Sequence, residues 1–473
     1  MLIVKKIAEN SSVIILGNIV ERVLGLFITI ALARYFGQTG FGKLSFLAIF
    51  FFYLASIDNQ WIRPILVREM SRDECNAGRI IGNGLVIKAL ISVAAIIFFW
   101  ITIGVIKPTP DIVILAIFTS WSLFLNSLTS SYEIVFQVSL KMKYFIGLNL
   151  FIRILNLMLV YLIIFFKQNL FNFYILSLIP GLVFLGLLRH YSVRITKPSF
   201  KFDALLWRRI FRESWPLGLT AVFIFIYHRI DQTLLLYFKG PEDLGLYAAG
   251  LRLVETLNII PLAFMISMLP LLSSCFNKSE VDFKNKYRLS FRYLLVFIIP
   301  LAMGISLFPG QIIRLFYGGQ FSASAVSLAI LIWSEVFVFM GVVNNAILIS
   351  SNKQIIDPLF TGLSALVSIG LNLFLIPRYS LLGAAIAAVI SCATGPVIGY
   401  FIPLTRDYSK CMFQSSLKPL FASLIAILPF YYFKFNLWFL IMASPLIYIF
   451  TLYLTGGINR QDLKRVKLVF SNA

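Results

Sequence analysis

Long apolar runs separated by short polar and basic segments fill this chain almost from end to end. A helix needs roughly 20 apolar residues to cross a hydrocarbon layer of about 30 Å. The pattern therefore predicts about fourteen spanning helices, near 11–34, 41–62, 81–106, 112–138, 145–166, 171–190, 214–238, 245–272, 289–309, 323–349, 358–376, 381–403, 417–433 and 437–455. The first run, Ser11 to Ala33, is long enough to cross a bilayer unaided, yet Glu21 and Arg22 sit in its middle. A charge at that depth costs about 2.5–3.5 kcal/mol on insertion scales, so such residues face a bundle interior or a wet cavity. The pair either serves a function or holds neighbouring helices together.

The polar segments are unequal in charge. With the N-terminus on the cytoplasmic side, cytoplasmic segments collect about 28 of the 41 basic residues, external loops about 8 and the spans about 5. That asymmetry predicts both termini in the cytoplasm. The richest segment runs from Arg189 to Glu213 and carries Arg189, Arg194, Lys197, Lys201, Arg208, Arg209 and Arg212. It separates six spans from eight and reads as a linker between two lobes.

Composition confirms the class: 59% hydrophobic residues and only 13% charged exclude a soluble protein and point to an all-α integral membrane protein. The net charge of +21 does not imply nucleic acid, because the Lys and Arg residues fall in short clusters between apolar runs. Cys75, Cys275, Cys392 and Cys411 lack paired spacing, and the two histidines, His190 and His228, are too few for a histidine-ligated metal. No metal site and no cofactor is expected. Lys5 and Lys6 precede an apolar run too long for a signal-peptide core, so that run is expected to stay as the first span.

A weak internal repeat links the two sides of the basic segment. Tyr35-Phe36-Gly37, followed by Gly42, matches Tyr237-Phe238-Lys239, followed by Gly245, at an offset of about 202 with one inserted residue. Duplicated six-helix halves are a recurring transporter plan. The expected organisation is an N-terminal lobe over 1–190, a basic linker over 191–213, a C-terminal lobe over 214–404, and two further spans with a basic tail over 405–473. Pro216, Pro261, Pro270, Pro300, Pro396 and Pro403 lie in or near spans, where neighbours can satisfy the carbonyls they free.

Five basic residues fall within spans: Arg22, Lys88, Arg153, Arg229 and Arg252. Glu21, Asp231, Glu255 and Glu335 lie at similar depth, with Asp58 and Glu133 nearer the span ends. The first lobe therefore carries a cationic surplus. Arg252 and Glu255, spaced i, i+3, share a helix face and can pair. Arg229 and Asp231 diverge, so each needs another partner. Glu335 has no partner nearby in sequence.

Four segments resemble a known family, the oligosaccharide and polysaccharide flippases of the multidrug/oligosaccharidyl-lipid/polysaccharide exporter superfamily. Ala33-Arg34-Tyr35-Phe36-Gly37 with Gly40-Phe41-Gly42 is similar to the family's turn after the first helix, and Asp58 with Arg68-Glu69-Met70-Ser71 to the end of its second. Phe316-Tyr317-Gly318-Gly319-Gln320-Phe321 resembles the loop before its tenth. Ile376-Pro377-Arg378-Tyr379 with Gly383-Ala384-Ala385-Ile386-Ala387 resembles the turn entering its twelfth. The glycine expected just after Asp58 is absent, since Asn59 and Gln60 fill that stretch.

The resemblance implies a multidrug-exporter-like (MATE-like) V-shaped bundle of two pseudo-symmetric six-helix lobes plus two C-terminal helices, working by alternating access. It implies a transporter in the bacterial inner membrane, not an enzyme. The cargo would be an undecaprenyl-diphosphate-linked oligosaccharide repeat unit for O-antigen or capsule synthesis. Membrane lipids, and a polysaccharide polymerase with its chain-length regulator, would be its partners. Such a protein needs a cationic, hydrated cleft, and arginine suits it because its fork binds phosphate oxygens in pairs and stays charged. Arg22, Lys88, Arg153, Arg229 and Arg252 are the candidates. Relatives place basic residues on the first and eighth helices, where Arg22 and Arg252 fall, and also on the second, where this chain has none at mid-depth. Glu335 is the candidate for coupling to a proton or sodium gradient, with Glu21, Asp231 and Glu255 as further coupling or pairing groups. A multidrug exporter of the same superfamily would want a less basic cavity. A polysaccharide polymerase or ligase would want a large external loop, and the longest expected here is only about Pro309 to Phe321.

Overall fold

The computed structural model describes residues 2–57, 61–73, 75–106, 109–276, 278–351, 353, 356–403, 405–432 and 437–456. Asp58, Asn59, Gln60 and the end of the expected basic tail lie outside them. The described chain forms two compact units, 1–248 and 249–473. Among the described residues every regular element is a helix.

In the first unit α1 is Leu2–Ile57, α2 Arg63–Arg72, α3 Ala77–Ile106, α4 Pro110–Val138, α5 Met142–Phe165, α6 Leu170–Ile195 and α7 Ala204–Lys239. The next helix, α8, is Pro241–Glu255 and crosses the boundary between the units. In the second unit α9 is Ile259–Phe276, α10 Glu280–Leu307, α11 Pro309–Tyr317, α12 Ser324–Ser350, α13 Asp357–Phe401, α14 Arg406–Tyr432 and α15 Leu437–Leu454. Among the described residues eight helical stretches are long and apolar enough to cross a membrane. Their outer faces stay apolar, as at Ile97, Ile101, Val105, Leu366 and Phe374, because lipid replaces water as the solvent there.

These helices do not map one to one onto fourteen spans. α1 carries the first two expected spans and turns at Gly37, whose φ of 68° is open to glycine at little cost. α13 carries two more and turns at Ser380, a non-glycine residue at φ 49°. The expected span 245–272 is one helical stretch with a 3-10 turn inside it: α8 ends at Glu255 and Thr256–Asn258 leads into α9. Hydropathy does not register this mid-span turn built of Thr, Leu and Asn.

The sequence repeat has a structural counterpart. Gly240 (φ 89°, ψ −177°) ends α7 with nearly the backbone of Gly37 (φ 68°, ψ −172°). Five residues beyond each lies a glycine packed on the other corner. A Cβ on Gly42 would sit 1.6 Å from the Pro241 carbonyl oxygen, and one on Gly245 would sit 2.0 Å from that of Gln38. The two corners therefore cross backbone to backbone, a contact only glycine permits.

The basic segment between α6 and α7 is held against α3. The Ser199 amide donates to the Gly78 carbonyl at 2.6 Å, and the Asn83 amide donates to the Lys201 carbonyl at 2.8 Å. Asn83 Oδ1 accepts from the Asp203 amide at 3.2 Å and from the Trp207 indole at 2.8 Å. The side chain of Asp203 caps α7 by accepting from the Leu206 amide at 3.0 Å. Arg79 pairs with Asp203 at 3.1 Å.

Candidate functional site

In the first unit, α1, α4 and α5 surround a cavity of about 300 Å³ lined by Glu21, Arg63, Glu133, Gln137 and Asn149 among others. Glu21 does not depend on its neighbour in sequence. Arg153 from α5 grips Glu21 Oε1 through two nitrogens, Nη2 and Nε, the latter at 3.1 Å, while Asn149 donates to Oε2 at 3.0 Å. At the same cavity Arg63 makes a two-pronged pair with Glu133, at 3.0 and 2.7 Å, and donates to Gln137 Oε1 at 3.0 Å. Arg63 thus opens onto this polar hollow with a carboxylate in its fork, while Arg153 is connected to it through Glu21.

Helical periodicity explains why these groups meet. Asn149 and Arg153 are spaced i, i+4 on α5, and Glu133 and Gln137 are spaced i, i+4 on α4, so each pair presents one face. Arg63 falls just beyond the expected second span and Glu133 near a span end, so depth in the sequence pattern singles out neither. The two Arg–Glu pairs were invisible because their members are 132 and 70 residues apart.

The other first-lobe candidates sit elsewhere. Arg22 is exposed, and among the described residues it makes no hydrogen bond or ion pair. Lys88 is 1% exposed, sealed between α3 and α4, where its ammonium donates to the Ser130 hydroxyl at 3.1 Å and its carbonyl accepts from Ser127 at 3.0 Å. Arg229 is buried in α7 with its guanidinium over the Phe52 ring, 4.3 Å from the centroid. Asp231 is also buried and accepts from the Tyr247 hydroxyl and the Gln232 amide. The structure therefore does not gather Arg22, Lys88 and Arg153 into one cluster.

The second unit holds its own polar group at the 3-10 turn. Arg252 Nη1 lies 3.4 Å from Glu255 Oε2, at the end of α8. One turn on, Asn258 donates to Glu335 Oε1 at 3.3 Å. Glu335 is 3% exposed on α12, and among the described residues its Oε2 and the Asn258 Oδ1 have no hydrogen-bond partner. A buried oxygen left open is costly, and it marks a place where a proton or small cation can be received. The 3-10 turn places Asn258 here, and Gly250 lets α8 approach α12, since a Cβ there would lie 3.1 Å from the Ser327 hydroxyl.

Known proteins are similar to this chain at low sequence identity. The model of the polysaccharide biosynthesis protein family matches residues 7–276, and a second model, MatE, matches 216–374. A probable low-salt glycan biosynthesis flippase, Agl15 of Haloferax volcanii, is 23% identical over 225 residues, 46% of this chain and 47% of that one. This chain therefore spans about half the length of that relative. The capsular polysaccharide biosynthesis protein CapF of Staphylococcus aureus is 23% identical over 316 residues, 64% of this chain and 78% of that one. In fold the chain is similar to the lipid II flippase MurJ in an inward closed conformation, with a TM-score of 0.76 and 17% identity over 95% of this chain and 98% of that one. The family match covers more than half of the chain and the fold agrees with it, so this protein belongs to the polysaccharide biosynthesis protein family.

Proposed function

We propose that this protein is a flippase that moves a lipid-linked oligosaccharide between bilayer leaflets by alternating access. The cargo on this reading is an undecaprenyl-diphosphate-linked repeat unit, carried outward across a bacterial inner membrane for O-antigen or capsule synthesis. Both termini are cytoplasmic, and the working lobes are 1–190 and 214–404, joined by 191–213. The observation that carries the proposal is the polar cavity of the first unit, lined by Glu21, Arg63 and Glu133, with Arg153 bonded to Glu21, supported by family membership.

The chemistry follows from what occupies the forks. Arg63 holds both oxygens of Glu133, the geometry a phosphate oxygen pair would take, and Arg153 holds one oxygen of Glu21 through two nitrogens. An arriving diphosphate competes with Glu21 and Glu133 for those guanidinium groups. Arg22, exposed and without a described partner, is placed to meet the anion first. Glu335 with its open oxygen serves as a separate coupling group for a proton or sodium ion. Lys88, Arg229 and Asp231 act as packing and pairing residues on this reading, while Arg252 and Glu255 hold the approach to Glu335.

Binding of a purified lipid-diphosphate-linked oligosaccharide to the detergent-solubilised protein tests this directly. Arg63→Ala and Arg153→Ala should each weaken binding by about tenfold or more, as expected for a charged hydrogen bond of roughly 1.5–3 kcal/mol. Unchanged affinity in both variants would remove the cavity from the cargo site.

A further inference from the structure

The connection between α6 and α7 leaves an unusual surface. Its backbone is fixed to α3 through Gly78 and Asn83, and its acids are already engaged: Asp203 with Arg79, Glu213 with Arg68. Arg194, Lys197, Lys201, Arg208 and Arg212 are all exposed, and among the described residues none of their side chains makes a hydrogen bond or ion pair. Between these cations stand large apolar side chains turned outward: Phe200 (69% exposed), Phe202 (70%), Leu205 (77%) and Trp215 (61%). On α7 the residues Leu205, Arg208, Arg212 and Trp215 form one stripe at helical spacing, while Leu206, Ile210 and Ser214 face inward.

Length fixes the height of this surface. α7 has 36 residues, about 54 Å at 1.5 Å per residue, far longer than a hydrocarbon layer of about 30 Å. Its first ten residues therefore reach the polar zone at the edge of the bilayer. Exposed aromatics at that level need an apolar phase beside them, and unpaired cations there need anions. A leaflet of acidic phospholipid supplies both, with acyl chains for Phe200, Phe202, Leu205 and Trp215 and phosphates for the Lys and Arg residues. An acidic protein partner would match the charges, but it would leave the membrane-level aromatics facing lipid without a role.

We infer that the strap Arg194–Trp215 is a binding surface for anionic phospholipid headgroups of the leaflet at its own end of the bundle. It fastens the α6–α7 connection to the membrane as well as to α3.

The test uses the full-length protein in nanodiscs of phosphatidylcholine mixed with phosphatidylglycerol, followed by gentle release and native mass spectrometry of retained lipid. Phosphatidylglycerol should be retained in clear preference to phosphatidylcholine, and the preference should fall as salt is raised. Each cation removed should lower retention about fivefold, from roughly 1 kcal/mol per basic residue. The triple variant Lys197→Gln, Lys201→Gln, Arg208→Gln should therefore lose the preference. Because these side chains have no partner among the described residues, its melting temperature in pure phosphatidylcholine should match the parent. A control that neutralises Lys141, Lys278 and Lys284 should keep the preference. Equal retention of both lipids by the parent, the same loss in both triple variants, or an acidic protein retained in place of the lipid would overturn the inference.

Discussion

Glu21 shows how much of the site a single residue can hide. Its presence in the middle of an apolar run was legible, and the demand for a partner followed from the cost of a charge at that depth. Its partner was not legible, because Arg153 reaches it through the packing of α5 on α1 and no local spacing encodes that. A double-mutant cycle over Glu21→Gln and Arg153→Gln should return a coupling on the order of 1 kcal/mol, measured from thermal melts in detergent. The pair is only partly buried, with side-chain exposures of 25% and 39%, which keeps the value modest. Additive effects would show that the two side chains act separately. Glu335 behaves differently: Glu335→Gln keeps an acceptor for Asn258 but cannot gain or lose a proton. On the proposed coupling role, that variant should transport at a rate that no longer responds to external pH, and a parent-like pH response would exclude Glu335.

At the scale of elements, turns were legible where glycine or charge marked them and hidden where they were not. Gly37 and the match of Gly42 with Gly245 stood out in the sequence, and the corners they form cross at backbone distance. Gly42→Ala should therefore destabilise by about 1–3 kcal/mol, the usual range for overpacking, read as a drop in melting temperature. The turns at Ser380 and at Thr256–Asn258 carry no such marker, and hydropathy averages across both. The basic segment was legible as a connection but not as a docked strap, since docking depends on Asn83 bonding backbone and indole groups about 120 residues away. Asn83→Ala should cost about 1–3 kcal/mol by orphaning those groups, and should raise proteolytic cleavage between 196 and 203. α2 adds a pH dependence of its own. Burial alone would push the Glu69 carboxyl up, but hydrogen bonds from Arg68 (2.8 and 3.2 Å) and Arg209 (3.1 Å) outweigh it and hold the group below its ordinary 4.5. Its contribution to stability is complete above about that pH and is lost as the pH falls through the lowered value. Melts between pH 6 and 3.5 should show an acid loss in the parent that is smaller in Glu69→Gln.

For the whole molecule, the all-helical membrane class was legible because apolar run length and the shortage of charge leave no other class open. The family was legible from four short motifs spread along the chain, and the match over residues 7–276 agrees with it. The orientation drawn from the distribution of Lys and Arg predicts that a cysteine at Lys201, in a variant lacking the four native cysteines, reacts only with reagent inside the cell. One at Gln320 should react from outside; the reverse pattern would invert the topology. On the proposed function, Arg63 and Arg153 of the first unit bind a lipid-linked diphosphate glycan as it crosses the bilayer. The deciding measurement is the rate at which sealed proteoliposomes move such a glycan from one leaflet to the other, with Arg63→Ala and Arg153→Ala compared at matched protein incorporation. The parent protein should translocate it and each variant should be slower by about tenfold or more; parent-like rates in both variants, or no translocation by the parent, would refute the proposed role.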